Sequence, residues 1–217
     1  MAADKTSFIY GIRATMEAVG SGQTIDKVLI RNGLKGELFQ EFFALIREQD
    51  IPFQFVPPRK LDTITRKNHQ GVIAFLSPVD FCRIEDVLPG LYEKGQTPFL
   101  LMLDGLTDVR NFGAILRTAE CAGVHAVIIP RRNFARVNED TAKTSAGALY
   151  RIPLCRAPNL EDAVEYLKKS GVQVVGVTEK TVAHYDEVDM QKPSALVMGA
   201  EDKGISPKLL QKINFLA

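Results

Sequence analysis

The spacing of apolar residues changes along the chain, and the change divides it. Residues 37–49 carry Leu38, Phe39, Phe42, Phe43 and Ile46 on one side of a helical wheel, which predicts an amphipathic helix. An earlier helix is expected at 11–19, with strands at 27–30, 53–56 and 72–76, the last two bounded by prolines. Such a helix needs a sheet to cover it, so residues 1–78 are expected to form a small mixed α/β domain. Residues 79–97 hold a short amphipathic piece, 84–92, interrupted by Pro89 and Gly90, and read as a linker. From Pro98 the pattern alternates: strand 99–103, helix after Asn111, strand 126–129, helix 139–147, strand 151–155 and helix 160–170. Strand 172–178, strand 195–198 and a helix from Ser206 follow. The alternation predicts a second α/β domain, 98–217, with a parallel sheet covered by helices on both faces. Helix 160–170 carries its own punctuation, with Asn159 as N-cap, Glu161 and Asp162 at its positive end, Lys168 and Lys169 at its negative end, and Gly171 as stop.

Composition narrows the function classes. The 217 residues are 46% hydrophobic and 24% charged, which suits a folded core, and a net charge of +1 excludes a global basic field, so any polyanion site is local. The longest apolar runs, such as 98–103 and 124–130, fall well short of the roughly 20 residues of a membrane span. The first residues lack a basic region followed by an apolar one, so no secretory signal is expected and the compartment reads as cytoplasmic. Cys82, Cys121 and Cys155 are widely spaced and form no CxxC pair, so neither disulfides nor structural zinc is expected. His69, His125 and His184 are equally scattered. HExxH, GxSxG and GxxxxGK[ST] do not occur, which removes the main support for a metalloprotease, a serine hydrolase or a P-loop ATPase.

In open α/β sheets ligands bind beyond the carboxyl ends of the strands, so the strand-end loops are the places to look. The loop after strand 99–103 leads to Asn111, Gly113 and Arg117. Gly113 and Arg117 are four apart, which puts a bare stretch of helix backbone one turn from a guanidinium, a surface for a phosphate or ribose. LVMGAEDKGISPKLL carries Gly199, Glu201 and Gly204, where Gly199 would let a flat ligand approach the backbone; the spacing is not that of a dinucleotide fingerprint. Thr178 and Glu179 follow the strand before it. Two basic loops stand apart from these: Arg131, Arg132 and Arg136 with Phe134 between them, and Arg59, Lys60, Arg66 and Lys67 in a polar loop ending at Gly71. Each of these loops reads as a ligand or RNA contact or as an ordinary solvated turn, and the residue types alone leave both open.

Two longer matches bear on that choice. DGLTDVRNFGAILRTAECAGVHAVIIP resembles the first signature of the SpoU/TrmH 2'-O-ribose RNA methyltransferases, and LVMGAEDKGISPKLL resembles their second. FIYGIRATMEAV and NHQGVIAF resemble the start and end of the small RNA-binding domain that precedes the catalytic domain in the ribosomal-RNA members. The likeness covers nearly the whole chain and is greatest to members that methylate a guanosine ribose of 23S ribosomal RNA.

The resemblance implies a SPOUT-type α/β domain with a C-terminal trefoil knot, a homodimer, S-adenosylmethionine as cofactor, no metal, and RNA as partner. It gives Asn111, Arg117 and Glu201 catalytic positions, and Thr178, Met198, Gly199, Ala200 and Gly204 positions in the cofactor site. RNA selection falls to the first domain and to the loops of Arg66, Lys67, Arg131, Arg132 and Arg136. The family's third signature, an Ile-Pro-hydrophobic step with a Ser and an Asn, is expected directly after residues 215–217, where the given sequence stops, so the segment that closes the knot is expected to be absent from it. The alternative this leaves open is a non-catalytic RNA-binding or assembly protein.

Overall fold

The computed structural model describes residues 8–179 and 187–216; residues 1–7, read above for a leader, His184 and Ala217 lie outside the described residues. The chain divides into two compact units, Met1–Asp80 with Val137–Glu139, and Phe81–Arg136 with Asp140–Ala217.

The first unit is built from β1 (Phe8–Tyr10), α1 (Ile12–Gly20), β2 (Ile25–Arg31), α2 (Glu37–Glu48), β3 (Phe53–Val56), α3 (Pro58–Asp62) and β4 (Val72–Leu76). Its sheet runs β1-β4-β2-β3, with β4 antiparallel to β1 and β2, and β3 parallel to β2. Strand alternation sorts the side chains between two faces. Val28, Ile30, Val72 and Ala74 pack with Ile12 and Ala18 of α1 and Phe42 and Ile46 of α2, while Leu29, Val56, Ile73 and Phe75 pack with Leu61 of α3. The loop expected to be polar throughout 59–71 therefore begins as a helix. Pro58 supplies the fixed φ that suits a first helical position, and Leu61 is fully buried against the sheet.

The second unit contains α4 (Ile84–Glu93), β5 (Phe99–Leu103), α5 (Val109–Cys121), β6 (Ala126–Pro130), α6 (Glu139–Thr144), a 3-10 turn (Ala148–Tyr150) and β7 (Leu154–Ala157). It continues through α7 (Leu160–Lys169), β8 (Gln173–Val177), β9 (Ser194–Met198), α8 (Pro207–Leu210) and β10 (Phe215–Leu216). The six strands lie in the order β10-β8-β9-β5-β6-β7, and every neighbouring pair is parallel. Leu100, Met102, Ala126, Ile128, Val174, Ala195 and Val197 form one core with α4 and α7, and the alternate positions Leu101, Leu103, Val127 and Ile129 are equally buried. Both faces are thus out of water, as parallel sheets require.

Three expectations shift. The stretch 79–97, read as a linker, is instead part of the second unit from Phe81 onward. Cys82 bridges to Cys155 through Cys82 N to Leu154 O and Arg156 N to Cys82 O, each 3.0 Å, and α4 runs unbroken through Pro89. A proline inside a helix costs about 3 kcal/mol. Burying Ile84, Leu88 and Leu91, at about 1.5–3 kcal/mol each, outweighs it. The helix expected at 139–147 stops at Thr144, because Ala146 (φ 50°) and Gly147 (φ 83°) turn left-handed. The strand expected at 151–155 begins at Leu154, since Pro153 has no N–H to give and only its carbonyl joins the ladder, accepting from Val127 N at 3.0 Å. Cys155 is a packing residue whose thiol is pushed up to about 12, first by burial and then by Cys82 beside it. Among the described residues no helix is long and apolar enough to cross a membrane.

Candidate active site

At the carboxyl end of β5 the chain emerges through Asp104, which ties down both ends of the loop that follows β9. Its backbone N donates to Met198 O at 2.8 Å, and its Oδ2 accepts from Ser206 N at 2.7 Å. Between those anchors the β9 loop closes on itself. Gly204, at φ 66°, donates to Ala200 O at 2.7 Å, and the two residues form an isolated bridge. A Cβ on Gly199 would stand 1.9 Å from Gly204 C and 2.2 Å from Ile205 N. The sequence reading assigned the bareness of Gly199 to an approaching ligand; in the structure the loop's own backbone occupies that space. Glu201, Asp202 and Lys203 project from the tip and are exposed, while Ile205 is buried beneath.

Two further loops reach the same end of the sheet. A Cβ on Gly105 (φ 70°) would lie 3.8 Å from Ala200 Cβ, which brings the β5 and β9 loops into contact. The loop after β6 joins through Ala135 N, which donates to Leu106 O at 2.7 Å. Arg131 N donates to Ala157 O at 2.9 Å. The arginines of this loop are not equivalent. Arg132 is exposed and Arg131 half-buried, with burial first and Arg132 second lowering the Arg131 guanidinium from its ordinary value. The Nε and Nη2 atoms of Arg136 are buried, so this side chain is not displayed to solvent as Arg132 is. Phe134 meets Phe112 edge to face at 5.0 Å and 83°.

Helix α5 starts two residues before Asn111, because Asp108 Oδ1 accepts from Asn111 N at 2.8 Å and caps it. Asn111 and Arg117 are both exposed, but six residues separate them, about 9 Å along the axis and roughly a third of a turn apart around it, so they do not share a stripe. Nor does Gly113 offer an open face beside Arg117. A Cβ there would fall 1.9 Å from Thr144 Oγ1 and 3.0 Å from Ser145 N, so this glycine exists for the close approach of α5 to the α6 end. Among the described residues no hydrogen bond or ion pair joins Arg117 to Asn111 or Glu201.

The strand ends bring together Met198, Gly199, Ala200, Glu201 and Gly204 in one loop, with Thr178 at the end of the neighbouring strand, where Val177 pairs in register with Met198. Sequence reasoning missed Asp104 and Asp108, although Asp three residues before Asn111 is a recognisable capping signal. It also missed Val177, 43% exposed at the strand end.

The basic residues of the first unit form a separate, well-pinned loop. Arg66 and Lys67 are exposed, Lys67 N donates to Thr65 Oγ1 at 3.3 Å, and Lys67 Nζ stands 5.8 Å from the Tyr10 ring centre. His69 holds the loop's exit: its Nδ1 accepts from Gly71 N at 3.0 Å and its Nε2 lies 3.1 Å from Asp62 Oδ1. Among the described residues no group of three His, Cys, Asp or Glu side chains is placed to hold a metal ion.

Residues 98–217, which include all three strand-end loops, match the SpoU rRNA methylase family, and residues 8–82 match the substrate-binding domain of RNA 2'-O ribose methyltransferases. The chain belongs to the SpoU family. This SpoU chain is 34% identical over 210 residues to a protein of Bacillus subtilis (strain 168) named for the TrmH family of tRNA/rRNA methyltransferases, covering 96% of this chain and 84% of that one. A protein named for the same family from Staphylococcus saprophyticus is 36% identical over 207 residues, covering 95% and 83%. Among solved structures, the AdoMet-bound rRNA methyltransferase of Sinorhizobium meliloti superposes with a TM-score of 0.57 at 25% identity, over 98% of this chain and 77% of that one. The SpoU methyltransferase AviRb of Streptomyces viridochromogenes shares the fold, with a TM-score of 0.55 at 20% identity over 98% and 79%.

Proposed function

We propose that this chain transfers the methyl group of S-adenosylmethionine to a ribose 2'-hydroxyl of RNA, with a guanosine of 23S ribosomal RNA as the target. The observation that carries the reading is the convergence of the β5, β6 and β9 loops at the carboxyl end of the parallel sheet, within the stretch matched by the SpoU family and beside the helix that bears Arg117. A homodimer acting in the cytoplasm belongs to the same reading.

The residues at the strand ends suit such a donor. Exposed Val177 and half-buried Met198 are neighbours in register and offer an apolar surface to a flat purine, with the Thr178 hydroxyl and the backbone of Gly199, Ala200 and Gly204 at its margin. Bound there, S-adenosylmethionine supplies a sulfonium-activated methyl group for in-line displacement by oxygen. The chain's own task is to hold the hydroxyl in line and to stabilise charge on it as its proton leaves to water. Arg117 performs that task. A guanidinium holds its protons too tightly to act as a base, so it orients the neighbouring phosphate and stabilises the developing oxyanion. Asn111 positions the ribose from the first turn of α5, and Glu201 steadies the loop. Arg131 and Arg132 on one unit and Arg66 and Lys67 on the other serve RNA contact, and Arg136, with Nε and Nη2 buried, supports its loop.

Arg117→Ala is expected to abolish transfer of labelled methyl to ribosomal RNA while calorimetric affinity for S-adenosylmethionine stays unchanged; wild-type turnover in that variant would remove Arg117 from the mechanism. Mapping the methylated nucleotide by primer extension tests the target.

A further inference from the structure

We infer that Cys82 and Cys155 form a reversible oxidation site, a pair of thiols that hydrogen peroxide converts to a disulfide bond across the outer edge of the parallel sheet. The inference does not depend on the methyltransferase reading.

Spacing along the chain argues against a disulfide, but the fold sets these two cysteines side by side. Strand β7 is the last in its sheet, and the segment around Cys82 pairs with it. Cys82 N donates to Leu154 O and Arg156 N donates to Cys82 O, each at 3.0 Å, which puts Cys82 directly opposite Cys155 in a parallel bridge. One residue along on each strand, the guanidinium carbon of Arg156 lies 3.4 Å from the centre of the Phe81 ring and holds the same register. Opposed residues of neighbouring parallel strands point their side chains the same way, with backbones about 4.8 Å apart. Disulfides form across Cα separations of about 4.4–6.8 Å, so the bridge is within reach of one. Both side chains lie toward one core: Cys155 belongs to the cluster shared with α4 and α7, and Cys82 packs against it.

The two thiols differ in access, and the difference orders the reaction. Cys155 is 1% exposed, whereas Cys82 is half-buried and keeps surface toward solvent. Cys82 is therefore the thiol that meets the oxidant, and its partial burial suits a small neutral one. Its thiolate attacks one oxygen of hydrogen peroxide, the O–O bond breaks, and the departing hydroxide takes the thiol proton as water, leaving a sulfenic acid on Cys82. Cys155 Sγ then displaces the sulfenic oxygen, which leaves with the Cys155 proton as a second water while the S–S bond forms. Two thiols give up two electrons and two protons, and the peroxide takes up both.

The surroundings keep the pair reduced at rest. Burial first, then Cys82, Glu85 and Asp86, push the Cys155 thiol up to about 12, with Arg83 pairing Glu85 at 3.5 Å. A thiol that holds its proton so firmly is a poor nucleophile, which makes its attack on the sulfenic acid the slow step. Cytoplasmic disulfides are in general of this transient, responsive kind.

The test uses the full chain. Reduced protein is exposed to hydrogen peroxide, remaining thiols are blocked with N-ethylmaleimide, and the products are read by intact mass and peptide mapping. The expected result is loss of two hydrogens with the Cys82 and Cys155 peptides joined, reversed by dithiothreitol and unchanged in Cys121→Ser, which removes the exposed third thiol. Cys82→Ser should abolish the cross-link. In Cys155→Ala the Cys82 sulfenic acid should persist and be trapped by dimedone. Should the core reject alanine, the wild-type time course carries the same information: trapping precedes cross-linking, and the cross-linking step speeds up about tenfold per pH unit below the Cys155 value. Exchange of the Arg156 amide, which donates to Cys82 O, should slow in the oxidised form. Oxidation of Cys82 to the sulfinic acid, with Cys155 still open to alkylation once the chain is unfolded, overturns the inference. Cross-links that run only through Cys121 also overturn it, as does a Cys82 that peroxide leaves untouched.

Discussion

The two sheets of this molecule bury their faces by different means. The six-stranded parallel sheet is buried on both sides, and its strands are nearly continuous runs of apolar residues, such as Phe99–Leu103 and Ala126–Pro130. Such a sheet has no face left for a ligand, which leaves the loops at its strand ends, where Asp104 and Gly105 join the β5 and β9 loops and Ala135 N ties in the β6 loop through Leu106 O. The four-stranded sheet is closed by α1 and α2 on one face and by the short α3 with Ile64 on the other, where Leu29, Val56, Ile73 and Phe75 are at most 6% exposed. The difference lies in the cover: one face of the smaller sheet depends on a single five-residue helix.

Leu61→Ala strikes the contrast hardest. Leu61 is fully buried as the main anchor of α3, so the variant is expected to cost about 2–5 kcal/mol in denaturant unfolding, concentrated in the first unit. Hydrogen exchange would locate the loss; equal loosening of both sheets would break the distinction between them. Gly199→Ala comes next, at about 1–3 kcal/mol, because its Cβ meets backbone at 1.9–2.2 Å and not a movable side chain. Calorimetry should show S-adenosylmethionine affinity falling with stability, and a variant that binds normally would mean that the loop closes without its glycine. Asp104→Asn keeps the shape and removes the charge from the bond to Ser206 N, with an expected loss of about 1 kcal/mol in thermal unfolding. Smallest is Glu120→Gln, on the exposed pair Glu120–Arg151, 2.6 Å apart between the end of α5 and the 3-10 turn. The hydrogen bond from Arg151 holds the Glu120 carboxyl below its ordinary value, so its contribution is present above the unfolded-state value near 4.5 and fades as pH falls through the lower folded one. Stability curves of variant and wild type should therefore differ slightly at neutral pH and converge in acid.

What could be read from the sequence follows from how local each signal is. The strands 53–56, 72–76 and 99–103 lie where their apolar patterns and bounding prolines put them, and α7 starts where Asn159 Oδ1 accepts from Glu161 N at 2.9 Å. Elements that exist through distant partners left little trace: β1 through its pairing with β4, β10 through its pairing with β8, α3 through Leu61. Pro89 was a misleading local signal, because the burial that overrides it comes from the second unit's core. The site divides the same way. Gly113 and Gly199 stood out in the sequence as bare surfaces for a ligand; that Thr144 and the Gly204–Ile205 backbone fill those spaces was not legible, since neither neighbour is marked by composition or spacing. Arg131, Arg132 and Arg136 look alike as letters and differ in burial once the loop folds.

The strand order of the second unit also has a consequence on the ribosome. All four strands of the first sheet have been synthesised once Val72–Leu76 is made, but β5 waits for β9, pairing Phe99 with Ser194. At roughly 5–20 residues per second, β9 follows β4 out of the ribosome roughly 6–24 s later. Through most of that interval the edge of β5 that will meet β9 stays open, a run of Leu100, Leu101, Met102 and Leu103 with its hydrogen-bonding groups bare on one side. The second unit therefore completes its sheet seconds after the last strand of the first has been made.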